Sequence, residues 1–182
     1  MRSNGLEGMN CSVAEVMEAI GDRWGLMIMR DLLLGLSRYN DLQTSSGATN
    51  ATLSDRLKRL EETGLVERRL YQTRPDRYEY LPSKRGQDIV LLIQAMIQIG
   101  DRWRLQEKRK IPLRFVDGDS GFTLALVAVD AAKKVAKDQP TLAIEVGPGA
   151  DDLMRWRVTQ GREQRIARAA AAGRRRQQLR AP

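Results

Sequence analysis

Residues 49–71 read TNATLSDRLKRLEETGLVERRLY. Thr49 can cap a helix in which Leu53, Leu57 and Leu60 recur at i, i+4 and i+7, a narrow apolar stripe that seats one face on a core. Gly64 is a natural stop, and the chain then alternates from Leu65 to Gln72 as a strand does. At about 100° per residue, the face turned away from the leucines collects Thr52, Asp55, Arg56, Lys58 and Arg59. Such a face is either a solvated helix surface or a surface that enters a nucleic-acid groove, and the neighbouring elements decide between the two.

Upstream, Val13, Val16, Met17 and Ile20 predict an amphipathic helix from Ser12 to about Asp22, with Ser12 or Cys11 near its cap. Trp24 to Leu34 predicts a second helix, apolar nearly all round and therefore buried, which Gly35 ends. Arg38 to Gln43 predicts a third of barely two turns, followed by the turn-rich Thr44-Ser45-Ser46-Gly47. Downstream, Arg77 to Leu81 returns as a strand after Thr73-Arg74-Pro75-Asp76, so the pair forms a hairpin with a basic tip. A long helix is expected from Ser83 to about Arg109. Its apolar positions, Ile89, Ile93, Met96, Ile97, Gly100 and Trp103 with Val90, Leu91 and Ile99 beside them, are too many for one small domain to cover, and a second subunit is expected to cover the surplus.

After residue 110 the pattern changes. Ile111, Leu113 and Phe115 alternate, Phe122 to Val129 reads as an apolar strand, and Leu142, Ile144 and Val146 alternate before Gly147-Pro148-Gly149. The fold expected is mainly α with a β-hairpin wing (α+β). It comprises a winged helix-turn-helix over residues 10–110, a small β-rich extension over 111–159, and an Arg/Ala-rich tail over 160–182 that is helical or disordered.

Composition bounds the chemistry. The chain of 182 residues carries 31 Lys/Arg against 23 Asp/Glu, a net +8 with a pI near 10.1. That charge invites an anionic partner. Residues 161–182, however, hold seven arginines against one glutamate, a net +6 of the chain's +8, so the excess lies mostly in the tail. With no histidine and one cysteine, a histidine-based triad or a Cys/His zinc site cannot be built within one chain. Asp117-Gly118-Asp119-Ser120-Gly121 lacks the downstream glutamate of a calcium loop and reads as a turn. No enzyme activity, cofactor or metal is expected. A lone cysteine, no long apolar run and no apolar leader core in MRSNGLEGMN point to a cytoplasmic protein off the membrane.

Cys11-Ser12-Val13-Ala14, Gly21-Asp22-Arg23-Trp24, Leu53 to Glu61 followed by Gly64-Leu65-Val66, Tyr78-Glu79-Tyr80 and Gly100-Asp101-Arg102-Trp103 occur in that order. Together they resemble the HxlR family of bacterial transcriptional regulators from about Asn10 to Trp103. The resemblance implies a homodimer that binds a double-stranded DNA operator, its first and last helices forming the interface. It departs from the family at Asn50, where a proline or small residue is usual. On this reading the DNA-binding residues are Thr49, Asn50, Thr52, Asp55, Arg56 and Arg59 of the recognition helix, Arg38, Asn40 and Gln43 of the short helix, and Arg74 and Arg77 of the wing. Arg56 is placed to meet guanine, Asp55 to orient Arg59, and the wing arginines to enter a minor groove. Of Arg68 and Arg69, only one is expected to face DNA. The dimer interface is expected from Val13, Val16, Met17, Ile20, Ile89, Ile93, Met96, Ile97, Gly100 and Trp103.

Some family members sense oxidants through a cysteine matching Cys11, so two readings of it stand, a redox sensor activated by the helix start and a buried structural cysteine. The expected function is a sequence-specific regulator, a repressor; the alternative is a protein-interaction module with only nonspecific charge-driven binding. Whether the extension supports the dimer or meets a small-molecule effector is open.

Overall fold

The computed structural model describes residue 6 and residues 8–133, 135–137 and 145–178. Four helices come first: α1 (Ser12–Ile20), α2 (Arg23–Leu33), α3 (Tyr39–Ser46) and α4 (Asn50–Glu62). The antiparallel hairpin β1 (Val66–Thr73) and β2 (Asp76–Pro82) follows, then a single turn α5 (Lys84–Gln87) and the long helix α6 (Ile89–Gln106). Beyond them lie a small hairpin, β3 (Ala128–Asp130) and β4 (Val135–Lys137), and the terminal helix α7 (Asp152–Gln178).

The core gathers around α2. Ile28, Met29 and Leu32 of α2 pack with Leu42 of α3, the stripe Leu53, Leu57 and Leu60 of α4, Leu65 and Val66 at the entry to β1, and Ile89 and Ile93 of α6. All three α4 leucines are essentially inaccessible.

Helix boundaries follow from identifiable caps. α1 stops at Ile20, two residues before the expected end, because Gly21 takes φ +89° and Asp22 opens the next helix instead. The Asp22 carboxylate accepts from the Trp24 and Gly25 amides at 2.9 and 3.1 Å. Thr49 caps α4 through the Thr52 amide at 3.2 Å, and Ser83 caps α5 through the Gly86 amide at 3.0 Å. The helix expected from Ser83 to about Arg109 is therefore two elements broken at Asp88 and ending at Gln106. In the hairpin, Arg68 faces Tyr80 and Arg69 faces Glu79, and the register slips between Leu70 and Gln72.

Among its described residues the extension holds less β-structure than its alternation predicts. Phe122 to Val127 form no continuous strand; one bridge joins Val116 to Thr123, and among the described residues of the extension the regular pairing is confined to β3 and β4. The backbone of Leu126 pairs with a side chain, giving its N–H to Gln98 Oε1 at 2.9 Å and accepting from Gln98 Nε2 at 3.0 Å. The Asp117 run is a turn in which Oδ1 accepts from the Ser120 amide and hydroxyl at 2.8 and 2.7 Å. Leu142 and Ile144 lie outside the described residues, and Val146 is not in a strand. The basic tail continues α7, which begins at Asp152, ahead of the expected start.

Gly86 of α5 packs closely on the backbone just ahead of β1. A Cβ there would stand 2.0 Å from the Leu65 carbonyl oxygen. Gly86→Ala is expected to destabilise the fold by about 1–3 kcal/mol, the usual cost of overpacking, measured by urea unfolding; an unchanged midpoint would show that this contact relaxes freely.

Candidate nucleic-acid interface

Burying Leu53, Leu57 and Leu60 leaves two flanks and an outer face on α4. Thr49, Asn50, Ala51, Ser54, Asp55 and Lys58 are exposed, while Thr52 and Arg56 are half-buried. Ala51 and Ser54 were not read as part of this face from the sequence; Lys58, which was, is exposed on it.

One flank is held by α3. The Tyr39 hydroxyl donates to the Asn50 carbonyl at 3.0 Å and lies 2.8 Å from Ser54 Oγ, clamping the start of α3 to the first turn of α4. Tyr39 also lines a groove of about 470 Å3 with Arg38, Asn40, Tyr71 and Arg77, so one residue borders both the recognition helix and the wing. The wing is tied there by the Tyr80 amide on the Ser37 carbonyl at 2.8 Å and by the Arg38 guanidinium over the Tyr71 ring at 5.1 Å. Asn40 is exposed and Gln43 half-buried on α3.

The other flank differs from the expected arrangement. Arg56 turns back onto the α1–α2 junction, its Nε and Nη2 lying 3.0 and 2.9 Å from Asp22 Oδ2, and it also pairs with Asp55. Asp55 thus orients Arg56 and not Arg59, which instead donates to the Glu18 carbonyl at 3.0 Å and packs on Gly21. Asp22, expected at the end of the first helix, caps the second instead, and its pairing with a residue 34 positions away was not legible in the sequence. Burial raises the Asp22 carboxyl pKa, but the Arg56 hydrogen bond, the Gly25 and Trp24 amides and the Arg56 charge outweigh it and leave the pKa below the ordinary value.

At the hairpin, both Arg68 and Arg69 are engaged within the fold. Arg69 pairs with Glu79 at 2.6 Å, and Arg68 lies over the Tyr78 ring at 4.7 Å. Arg74 and Arg77 are exposed at the tip, with no ion-pair partner among the described residues.

The expected dimer residues divide. Ile20, Ile89 and Ile93 belong to the subunit's own core and have no surface to offer a partner. Ile97 and Gly100 are half-buried on the side of α6 that faces α2 and Pro112. Val13 (70% exposed), Val16 and Met17 on α1, and Met96 and Trp103 (63%) on α6, remain free, with Ile99 beside them. Cys11 is half-buried at the start of α1. No amide makes a side-chain cap bond to it, yet the Ala14 and Val13 N–H groups favour its thiolate and lower its pKa.

Because the folded Asp22 pKa is depressed, its contribution to stability is fully present above the unfolded value of about 3.9 and is lost as the pH falls through the lower folded value. Asp22→Asn is therefore expected to flatten the acid limb of stability against pH, read by urea unfolding across that range. An acid limb identical to that of the wild type would remove Asp22 as a linkage group.

The HxlR-like helix-turn-helix family profile matches residues 19–108. The HTH-type transcriptional regulator sll1512 of Synechocystis sp. is 30% identical over 112 residues, which cover 61% of this chain and 83% of that protein. Rv3095 of Mycobacterium tuberculosis, also an HTH-type transcriptional regulator, is 37% identical over 92 residues, 50% of this chain and 58% of the relative, so the match spans little more than half of the mycobacterial protein. Among solved structures, PA1374 from Pseudomonas aeruginosa, described as a transcription factor, superposes with a TM-score of 0.56 at 32% identity over 81% of this chain and 99% of that one. PA1607, likewise described as a transcription factor, gives 0.62 at 26% identity over 76% and 96%. These relatives are regulators and not enzymes, and no helix among the described residues is long and apolar enough to cross a membrane. With its winged helix-turn-helix fold, the chain belongs to the HxlR-like family of helix-turn-helix transcriptional regulators.

Proposed function

We propose that the chain is a homodimeric, sequence-specific DNA-binding repressor, with the N-terminal half of α4 in the major groove and the β1–β2 tip in the adjoining minor groove. The observation that carries this reading is the sharing of Tyr39 between α4 and the groove containing Arg77, which joins a seated helix with an exposed outer face to a tip arginine that has no ion-pair partner among the described residues. On this reading Thr52 and Asp55, with Ala51 and Ser54, face bases. Thr49, Asn50, Arg38, Asn40 and Gln43 lie toward the backbone, and Arg74 and Arg77 enter the minor groove. Arg56 and Arg59 set the height and tilt of α4 through Asp22 and Glu18 rather than reading bases. Occupying an operator asks nothing beyond such a dimer, which is why repression is the simplest role.

The free apolar strip of α1 and α6 supports a two-fold dimer, which would present two recognition helices to related half-sites. Met96→Glu combined with Trp103→Glu changes exposed positions only. The pair is expected to give a folded monomer by sedimentation and to weaken operator binding; a dimer that persists would move the interface elsewhere.

Selection from a random-sequence duplex pool by the full chain is expected to enrich a two-fold-related sequence, and residues 1–160 alone should retain that preference. Arg77→Gln is expected to weaken binding to selected and unselected duplexes alike and to lower the salt slope by about 1. If binding vanishes with residues 161–182 and the remainder prefers no sequence, the chain is a protein-interaction module whose tail supplies charge alone.

A further inference from the structure

Asp55 stands two residues after Leu53, about 200° round the helix from it, and so opposite the buried stripe of Leu53, Leu57 and Leu60. Its side chain is 67% exposed. Oδ2 pairs with Arg56 Nη1, and Arg56 is itself held at Nε and Nη2 by Asp22 Oδ2. Oδ1 has no hydrogen-bond partner among the described residues. The neighbouring hydroxyls are already engaged, that of Thr52 lying 2.9 Å from Thr49 Oγ1 and that of Ser54 2.8 Å from the Tyr39 hydroxyl. The centre of the outer face therefore presents one free carboxylate oxygen, which can accept but not donate.

A carboxylate carried into a DNA groove is repelled by the phosphates, and the base it meets decides whether that cost is offset. In the major groove only two base groups donate, cytosine N4 and adenine N6. Guanine presents N7 and O6 and thymine presents O4, all acceptors that would stand against the lone pairs of Oδ1. Adenine N6 has the N7 acceptor beside it, which repels a carboxylate drawn to the amino group; the cytosine edge carries no such acceptor. Arg56 offsets the charge of Asp55 without covering Oδ1. Ala51 and Ser54, on the N-terminal side of Asp55, are small and do not hold the helix off the base edges.

We propose that Asp55 is a specificity-determining residue, its Oδ1 accepting from the N4 amino group of one cytosine in each operator half-site. This assignment rests on the DNA-reading function proposed above. The test is selection from a random-sequence duplex pool by the full chain as wild type, Asp55→Asn and Asp55→Ala, followed by titration of the enriched duplex with each base in turn at every position. Wild type is expected to enrich cytosine at one position of each half-site, and replacing that cytosine should weaken binding about tenfold. Asp55→Asn keeps an oxygen for Arg56 and turns the outer atom into a donor, so cytosine should become disfavoured there and a base presenting an acceptor should replace it. Asp55→Ala should erase the preference at that position, and its result decides the matter even if Asp55→Asn selects no new base. Both variants should keep the wild-type preference everywhere else, which a loss of fold would not do. If wild type enriches no sequence, the DNA-reading function falls and the role of Asp55 with it. If wild type enriches a sequence that Asp55→Ala enriches equally at every position, or the position that changes holds no cytosine, the DNA-reading function stands and the role of Asp55 alone is overturned.

Discussion

Three leucines on α4 determine what the rest of this molecule can do. Leu53, Leu57 and Leu60 are completely buried against α2 and the entry to β1, and a helix of this length can bury only one stripe of that width. Each side chain at these positions contributes on the order of 1.5–3 kcal/mol of burial, so rolling the helix to present another face would forfeit most of its seat. The outer face is thereby selected without any of its residues taking part. Polar contacts at the flanks then remove the remaining play: Tyr39 on one side, Asp22 with Arg56 and the Glu18 carbonyl with Arg59 on the other.

These flank contacts change the meaning of the basic residues. Two of the three cations that make α4 look like a nucleic-acid helix are turned toward the α1–α2 junction, and Arg69 of the hairpin is paired with Glu79. What stays available is a mostly polar face and two arginines at the tip. Such an arrangement suits recognition by position, with net charge contributing little, and it agrees with the excess charge lying in the tail.

α6 resolves in a similar way. Its apolar positions extend too far round the helix for the core alone to cover. Ile89 and Ile93 enter the core. Gln98 clasps Leu126 of the extension through both its amide atoms, and Met96, Ile99 and Trp103 are left uncovered. The extension also takes some of the surface that the sequence pattern assigned to a second subunit, since Ile97 and Gly100 share a cleft with Pro112 and Leu113.

Helix order, the wing and the caps at Thr49, Ser83 and Gly64 were legible in the sequence, because periodicity and capping act over a few residues and leave their signal in neighbouring letters. The face of α4 was legible for the same reason. The extension was less so, since alternation signals a strand only where another strand stands beside it, and Leu126 met a glutamine side chain instead. Nor could spacing reveal that Arg56 would meet Asp22, that Ile89 and Ile93 would be core, or that Asp31 would be buried with one oxygen unpaired, because each depends on residues far apart in the chain. The sequence by itself determined which elements form and in what order; tertiary packing decided which of their charged and apolar side chains remain free to meet a partner, because burial and ion pairing are settled between elements and not within them.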